Sequence, residues 1–287
     1  MMKRRDLLQL GGLALGAGLS GNAFADIVPH PRGRFAGKIR KSLKWNMVKL
    51  RDEQSLAETF EKLRKCGYEG LEPSLDDVGD KADEWIAASQ ESGLILDGTV
   101  AARTEDLIGG IDLTKRLGGD SMLVVARYDQ KQPIQPQWDR ARDQLREFAP
   151  HAQAQGVSLL VENVWATYLI SPFDMARFID EVGHPAVQVH FDIGNMVRWG
   201  VPEHWAQILG TRSKKLDVKE YDLKKAMGEG MGKGFSVPLG EGSIDWKAVM
   251  DEMEKIQFTG WAAAEVAAGD WDYLADVAKR MDRVLEL

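Results

Sequence analysis

Ser158-Leu159-Leu160-Val161-Glu162-Asn163 and Val187-Gln188-Val189-His190-Phe191-Asp192 decide how the rest of this chain reads. Each is a short apolar run, rich in leucine or valine, that ends in a carboxylate. The first follows Gln155-Gly156-Val157, where a glycine hands a helix over to a strand. Working outward, similar runs lie at 42–45, 70–73, 94–99, 122–126, 215–219 and 261–266. With 158–163 and 187–192 they give eight candidate strands.

Segments of helical period separate them. Leu56, Phe60 and Leu63 share one helix face, as do Trp246, Val249, Met250 and Met253. Cys66-Gly67-Tyr68 and Glu91-Ser92-Gly93 repeat the glycine hand-over seen at Gly156. Strands alternating with helices, without consecutive hairpins, imply a parallel sheet. Eight such units favour an α/β fold closed as a single (β/α)8 TIM barrel, which takes about 250 residues. No Gly-x-Gly-x-x-Gly follows the first strand, so a dinucleotide-binding open sheet lacks its phosphate loop.

The barrel is expected over 38–287, behind an export signal at 1–25 and a Pro- and Arg-containing linker at 26–37. Lys3-Arg4-Arg5-Asp6-Leu7-Leu8 precedes a Gly-rich apolar run, and Ala23-Phe24-Ala25 supplies a cleavage pattern, which together resemble a twin-arginine signal. A periplasmic location follows, with no stable membrane span once the signal is removed. Cys66 is the sole cysteine, so no intrachain disulfide can form; it reads as a small core residue. The net charge of −7, without a basic block, speaks against nucleic-acid partners. Most of the nine tryptophans are expected in the core.

In a TIM barrel the chemistry sits where strands finish. Four late strands end in or carry an acid there: Glu162, Asp192, Asp217 and Glu265. Converging carboxylates repel unless a cation joins them, and oxygen donors favour Mn2+ or Mg2+, with Zn2+ or Co2+ entering if an imidazole joins. Lysine or arginine partners dedicated to each acid would remove that need. His190, two residues before Asp192, points to the same side of its strand and is expected to pack there. His151, His184 and His204 read as surface residues. Asn195 could offer an amide to a substrate, and Lys219, from the same strand end as Asp217, an ammonium. Lys44, Trp45, Glu72, Trp165, Tyr168 and Trp199 lie at or past strand ends and are candidate walls of a substrate site.

The strings Leu159-Leu160-Val161-Glu162-Asn163, Phe191-Asp192-Ile193-Gly194-Asn195, Asp217-Val218-Lys219-Glu220-Tyr221, Pro238-Leu239-Gly240-Glu241-Gly242-Ser243-Ile244-Asp245-Trp246 and Ala264-Glu265-Val266 resemble, in order and spacing, the sugar isomerase/epimerase superfamily of xylose-isomerase-like barrels. The resemblance runs from about 38 to the C-terminus and is more specific in the later half. It implies a divalent metal on Glu, Asp, His and Glu of strands five to eight, with the two glutamates facing the carbon that loses and regains a proton. Glu162, Asp192 and Glu265 match by type. Asp217 stands where the family usually has His, and Asn195 where it often has His.

The expected function is a metal-dependent isomerase or epimerase acting on an unphosphorylated keto sugar or polyol-like substrate. Glu162 and Glu265 would be its catalytic pair. The alternatives are a lyase or deglycosidase acting on a 3-keto-glycoside, or a non-catalytic sugar-binding barrel. An endonuclease of the same superfamily is disfavoured by the acidic balance. The expected partner is a small carbohydrate, and a homo-oligomer is compatible with all of these.

Overall fold

The computed structural model describes residues 33–101, 107–165 and 168–287. The expected signal at 1–25, and the linker as far as residue 32, lie outside them.

All eight expected strands are present, with one interruption. They are β1 (Ile39–Leu43), β2 (Gly70–Leu71), β3 (Ile95–Leu96), β4 (Gly98–Val100), β5 (Ser121–Val124), β6 (Ser158–Glu162), β7 (Val187–Asp192), β8 (Ser213–Val218) and β9 (Gly260–Ala264). The run expected at 94–99 breaks at Asp97, so β3 pairs with β2 while β4 pairs with β5. Parallel pairing runs in the order β1-β9-β8-β7-β6-β5-β4. Backbone bonds from Glu69 N to Lys41 O (2.8 Å), Glu72 N to Leu43 O (2.9 Å) and Val100 N to Pro73 O (2.9 Å) carry the ring round through β2.

The helices are α1 (Leu56–Cys66), α2 (Leu75–Val78), α3 (Ala82–Ser92), α4 (Leu107–Leu117), α5 (Ile134–Gln155), α6 (Pro172–Val182), α7 (Pro202–Leu209), α8 (Leu223–Glu229), α9 (Trp246–Lys255) and α10 (Trp271–Val284). Ser55 and Glu58 form a reciprocal capping box that starts α1. The expected glycines Gly67, Gly93 and Gly156 end α1, α3 and α5 at φ of 104°, 72° and 69°, which L side chains rarely adopt. Phe60, Leu63, Val249, Met250 and Met253 are all buried against the barrel, as their spacing requires. Among the described residues, no helix is long and apolar enough to cross a membrane.

Residues 33–37, expected as linker, are packed instead. Phe35 is buried, its N–H donates to Glu286 O, and Arg34 pairs with Asp251, Glu254 and Glu286. The acidic C-terminal turn draws the arginine down, and Phe35 fills the space beneath it.

Glu220 explains why the segment at 238–246 has its composition. Its buried carboxylate accepts from Trp246 Nε1 and Gly240 N, both at 2.8 Å, and from Tyr221 N at 3.1 Å. A Cβ at Gly242 would come within 2.5 Å of the same carboxylate, so only glycine lets the loop approach. Glu220→Ala would strand those donors, costing ~2–3 kcal/mol. A thermal melt should then fall by roughly 5–10 °C. A shift under about 2 °C would show that the loop has another anchor.

Candidate metal and catalytic site

Strand period two aims one set of side chains into the barrel, and on β8 that set is Lys215 and Asp217, with Lys219 following. Register places Asp192 beside Asp217, His190 beside Lys215, and Glu162 beside His190. Glu265 follows β9 directly, its N–H bonded to Val218 O at 3.0 Å. Lys44 follows β1 and bridges to Glu72. The C-terminal inward positions of β6, β7 and β8 are thus charged or ionisable where a TIM barrel usually packs apolar layers.

The four acids singled out from the sequence come together. One carboxylate oxygen from each of Glu162, Asp192, Asp217 and Glu265 lies within 4.8 Å of all the others. Three of the four also touch an ammonium. Lys219 Nζ is 2.7 Å from Asp192 Oδ2 and 2.8 Å from Glu265 Oε1. Lys44 Nζ is 2.9 Å from Asp217 Oδ2, 3.4 Å from Glu265 Oε2 and 3.5 Å from Glu72 Oε2. Deeper down, Lys215 Nζ joins Glu72 Oε1 (2.8 Å) to Asp97 Oδ2 (2.5 Å). His190 Nε2 lies 3.0 Å from Asp217 Oδ1.

Lysines therefore relieve part of the repulsion that a cation was expected to relieve, but not all of it. The network of Glu72, Asp97, Glu162, Asp192, Asp217 and Glu265 faces three lysines, so negative charge remains in excess. The excess gathers on Glu162, whose Oε1 receives, among the described residues, only the amide of Asn195, at 3.2 Å. Burial first, and then Glu265, push the Glu162 carboxyl well above its ordinary range. Burial likewise pushes Asp192 up to about 6, against the pull of Lys219. Asp217 goes the other way: burial would raise it, yet His190 and Lys44 hold it far below.

An oxygen-preferring divalent ion fits this donor set. Asp192 Oδ2 and both oxygens of Asp217 are buried without a contact of hydrogen-bond geometry, although cations stand within ion-pair range. Such atoms are what a metal satisfies. A second trio, Glu72, His190 and Asp217, also has donors within 4.8 Å of one another, but Lys44 and Lys215 already hold its glutamate.

The other expected site residues divide. Asn195 is in place, its amide nitrogen on Glu162 and its backbone N–H on Asp192 Oδ1 at 2.8 Å. Lys219 is in place, 3.3 Å from Asn195 Oδ1. A Cβ at Gly194 would overlap the Lys219 side chain, which explains the glycine in Asp192-Ile193-Gly194-Asn195. Trp165 donates from Nε1 to Asn195 O at 2.7 Å and stacks with Phe235, whose ring lies 5.4 Å from Lys219 Nζ.

Trp45 is not a wall. Its ring packs against Trp85 and Phe60 in the core, because β1 ends at Leu43 and Trp45 opens a 3-10 turn on the side opposite Lys44. Glu72 is a fully buried counter-ion rather than a sugar contact. Tyr168 packs with Trp138 and Tyr128, and the half-exposed Trp199 lies beneath Arg198.

Asp97, Lys215 and the partnership of His190 with Asp217 escaped the sequence reading. The signal was present in Lys215-Leu216-Asp217-Val218-Lys219, whose alternation puts three charges on one face.

Against this geometry, the comparisons with known proteins are consistent. The profile of the xylose isomerase-like TIM barrel family matches residues 60–284. The chain belongs to that family. An Escherichia coli (strain K12) protein, SgbU, provisionally named L-ribulose-5-phosphate 3-epimerase, is 22% identical over 260 residues, covering 80% of this chain and 86% of its own. The D-psicose 3-epimerase of Clostridium cellulolyticum H10, solved with D-tagatose, superposes with a TM-score of 0.68 at 16% identity, over 86% of this chain and 100% of that one. A xylose isomerase-like TIM barrel protein from Mycobacterium smegmatis, solved in complex with magnesium, gives 0.66 at 18% identity, over 87% of this chain and 96% of that one.

The excess charge has a measurable consequence. Groups with raised carboxyl pKa values favour the folded state below their unfolded pKa and lose that advantage as pH rises, for Asp192 through about 6. Glu162→Gln removes the least compensated charge. At pH 8 without metal it should melt a few degrees above the wild type, since ~1 kcal/mol moves Tm by about 2–4 °C in a domain of this size. Added Mn2+ should stabilise the wild type more than the variant. A variant that melts lower in metal-free buffer would refute the charge excess.

Proposed function

We propose that this chain is a metal-dependent sugar epimerase or isomerase that moves a proton on a carbon next to a carbonyl. The observation that carries it is the pair Glu162 and Glu265, held in one carboxylate cluster at the mouth of the barrel. The keto-sugar epimerases among its relatives and neighbours support it, and the magnesium-bound neighbour supports a divalent ion, with Mg2+ or Mn2+ preferred by all-oxygen donors.

Glu162, Asp192 and Glu265 would hold the ion, with Asp217 beside them. When bound, it supplies Lewis-acid polarisation of the substrate carbonyl. The chain's own residues supply the proton traffic. Glu162 and Glu265 are electrically unlike: burial raises the first toward its protonated form, while the second lies between two ammonium groups. An acid–base pair needs that inequality. Glu265 takes the proton from carbon, the electron pair moves onto the carbonyl oxygen, and Glu162 returns a proton to the opposite face. Lys219 and the Asn195 amide hold substrate oxygens, and Trp165 with Phe235 gives a stacking wall on that side.

The substrate is unphosphorylated in this proposal, in contrast to the sugar phosphate in the SgbU name. A phosphate dianion needs unpaired cations, whereas Lys44, Lys215 and Lys219 are all committed to carboxylates. The export pattern at 1–25 would place such an enzyme in the periplasm.

A screen of keto sugars with Mn2+ in D2O tests the proposal. Deuterium should appear on the carbon next to the carbonyl, together with the epimeric or isomeric sugar. Glu265→Gln should cut that exchange at least ~10²-fold while metal binding is retained, as expected for a general base. Undiminished exchange in that variant would overturn the assignment. Release of an aglycone from a 3-keto-glycoside, without an isomeric sugar, would replace it with the lyase.

A further inference from the structure

The carboxylate cluster already contains tethered cations, and one of them is held there by the residue that departs from the family pattern. Asp217 is fully buried, and each of its oxygens lies within ion-pair range of a nitrogen: Oδ1 faces His190 Nε2 at 3.0 Å and Oδ2 faces Lys44 Nζ at 2.9 Å. From that anchor the Lys44 ammonium reaches Glu265 Oε2 at 3.4 Å, one of the oxygens a metal would use. We propose that Lys44 is a built-in competitor for the divalent ion, fixed by Asp217, and that it sets how tightly the site holds metal. The inference rests on the metal reading above.

The charges argue for a matched pair. Lys44 is almost wholly buried at the end of β1, where an ammonium survives only beside anions. A neutral imidazole at 217 would give it no anchoring charge. With aspartate there, Lys44 has Asp217, Glu265 and Glu72 as counter-ions, at 2.9, 3.4 and 3.5 Å. The same ammonium opposes any second positive charge brought to Glu265. Unlike a solvent counter-ion, it cannot leave, because its backbone is pinned by Lys44 N to Ala264 O at 3.3 Å and by Trp45 N to Glu72 O at 3.0 Å. A divalent ion must therefore win Glu265 from Lys44, and it does so with its affinity lowered. The carboxylate that Lys44 and Lys219 leave without an ion-pair contact, Glu162, is the point from which an ion would be captured.

The test is isothermal titration of Mn2+ into the chelator-stripped full chain, comparing the wild type with Lys44→Met and Lys44→Gln. Lys247→Met serves as control, since that lysine is exposed and pairs with Asp251 on the surface. Both Lys44 variants should bind Mn2+ at least ~10-fold more tightly, while the control stays within about twofold. Gln keeps the stem and a polar tip, so it reports on charge even if Met fails to fold, and a far-ultraviolet melt confirms which chains are folded.

The outcomes separate the two claims. Wild-type binding with no tightening in the folded Lys44 variants overturns the competitor and leaves the metal reading standing. Binding by the variants but not by the wild type upholds the competitor, in a site that its lysine keeps free of metal. No binding by any chain overturns both.

Discussion

Repulsion among acids inside a closed ring of strands is the constraint on which this structure turns. Glu162, Asp192, Asp217 and Glu265 share a space in which any donor oxygen is within 4.8 Å of the next, with Glu72 and Asp97 beneath. Buried charges of one sign cost several kcal/mol each unless compensated. Three lysines supply much of that compensation. The least compensated of the six acids is Glu162, at the mouth, and a divalent cation there would relieve the rest.

The fold was largely legible because it rests on local rules. Short apolar runs marked the strands, three of them behind a glycine hand-over, and the apolar faces of α1 and α9 are buried as their spacing demanded. The division of 94–99 was not legible. Asp97 interrupts that strand to serve Lys215, a partner more than a hundred residues away, and nothing local announces the contact. The packing of residues 33–37 was hidden for a similar reason, since Arg34 finds its acids near the C-terminus.

The candidate site was half legible. A carboxylate at the end of an apolar strand is costly and therefore conspicuous, and all four such acids meet. Residues assigned to the rim by position alone fared less well. Trp45 turned into the core with Phe60 and Trp85, and Glu72 turned into the ion network. Position along a strand fixes which side a residue faces only while the strand is regular, and both lie where theirs is ending. Lys44 and Lys219, read from the sequence as candidate substrate contacts, are in the structure counter-ions within the cluster as well. Asp217, where the family usually has histidine, belongs to the same network, its carboxylate 2.9 Å from the Lys44 ammonium.

The most direct measurement is a crystal structure of the Mn2+-loaded protein with anomalous scattering from the metal. One peak per chain is expected, about 2–2.4 Å from carboxylate oxygens of Glu162, Asp192 and Glu265. A Mn2+-loaded crystal with no peak among those residues, and Lys44 and Lys219 still bridging them, would contradict the account.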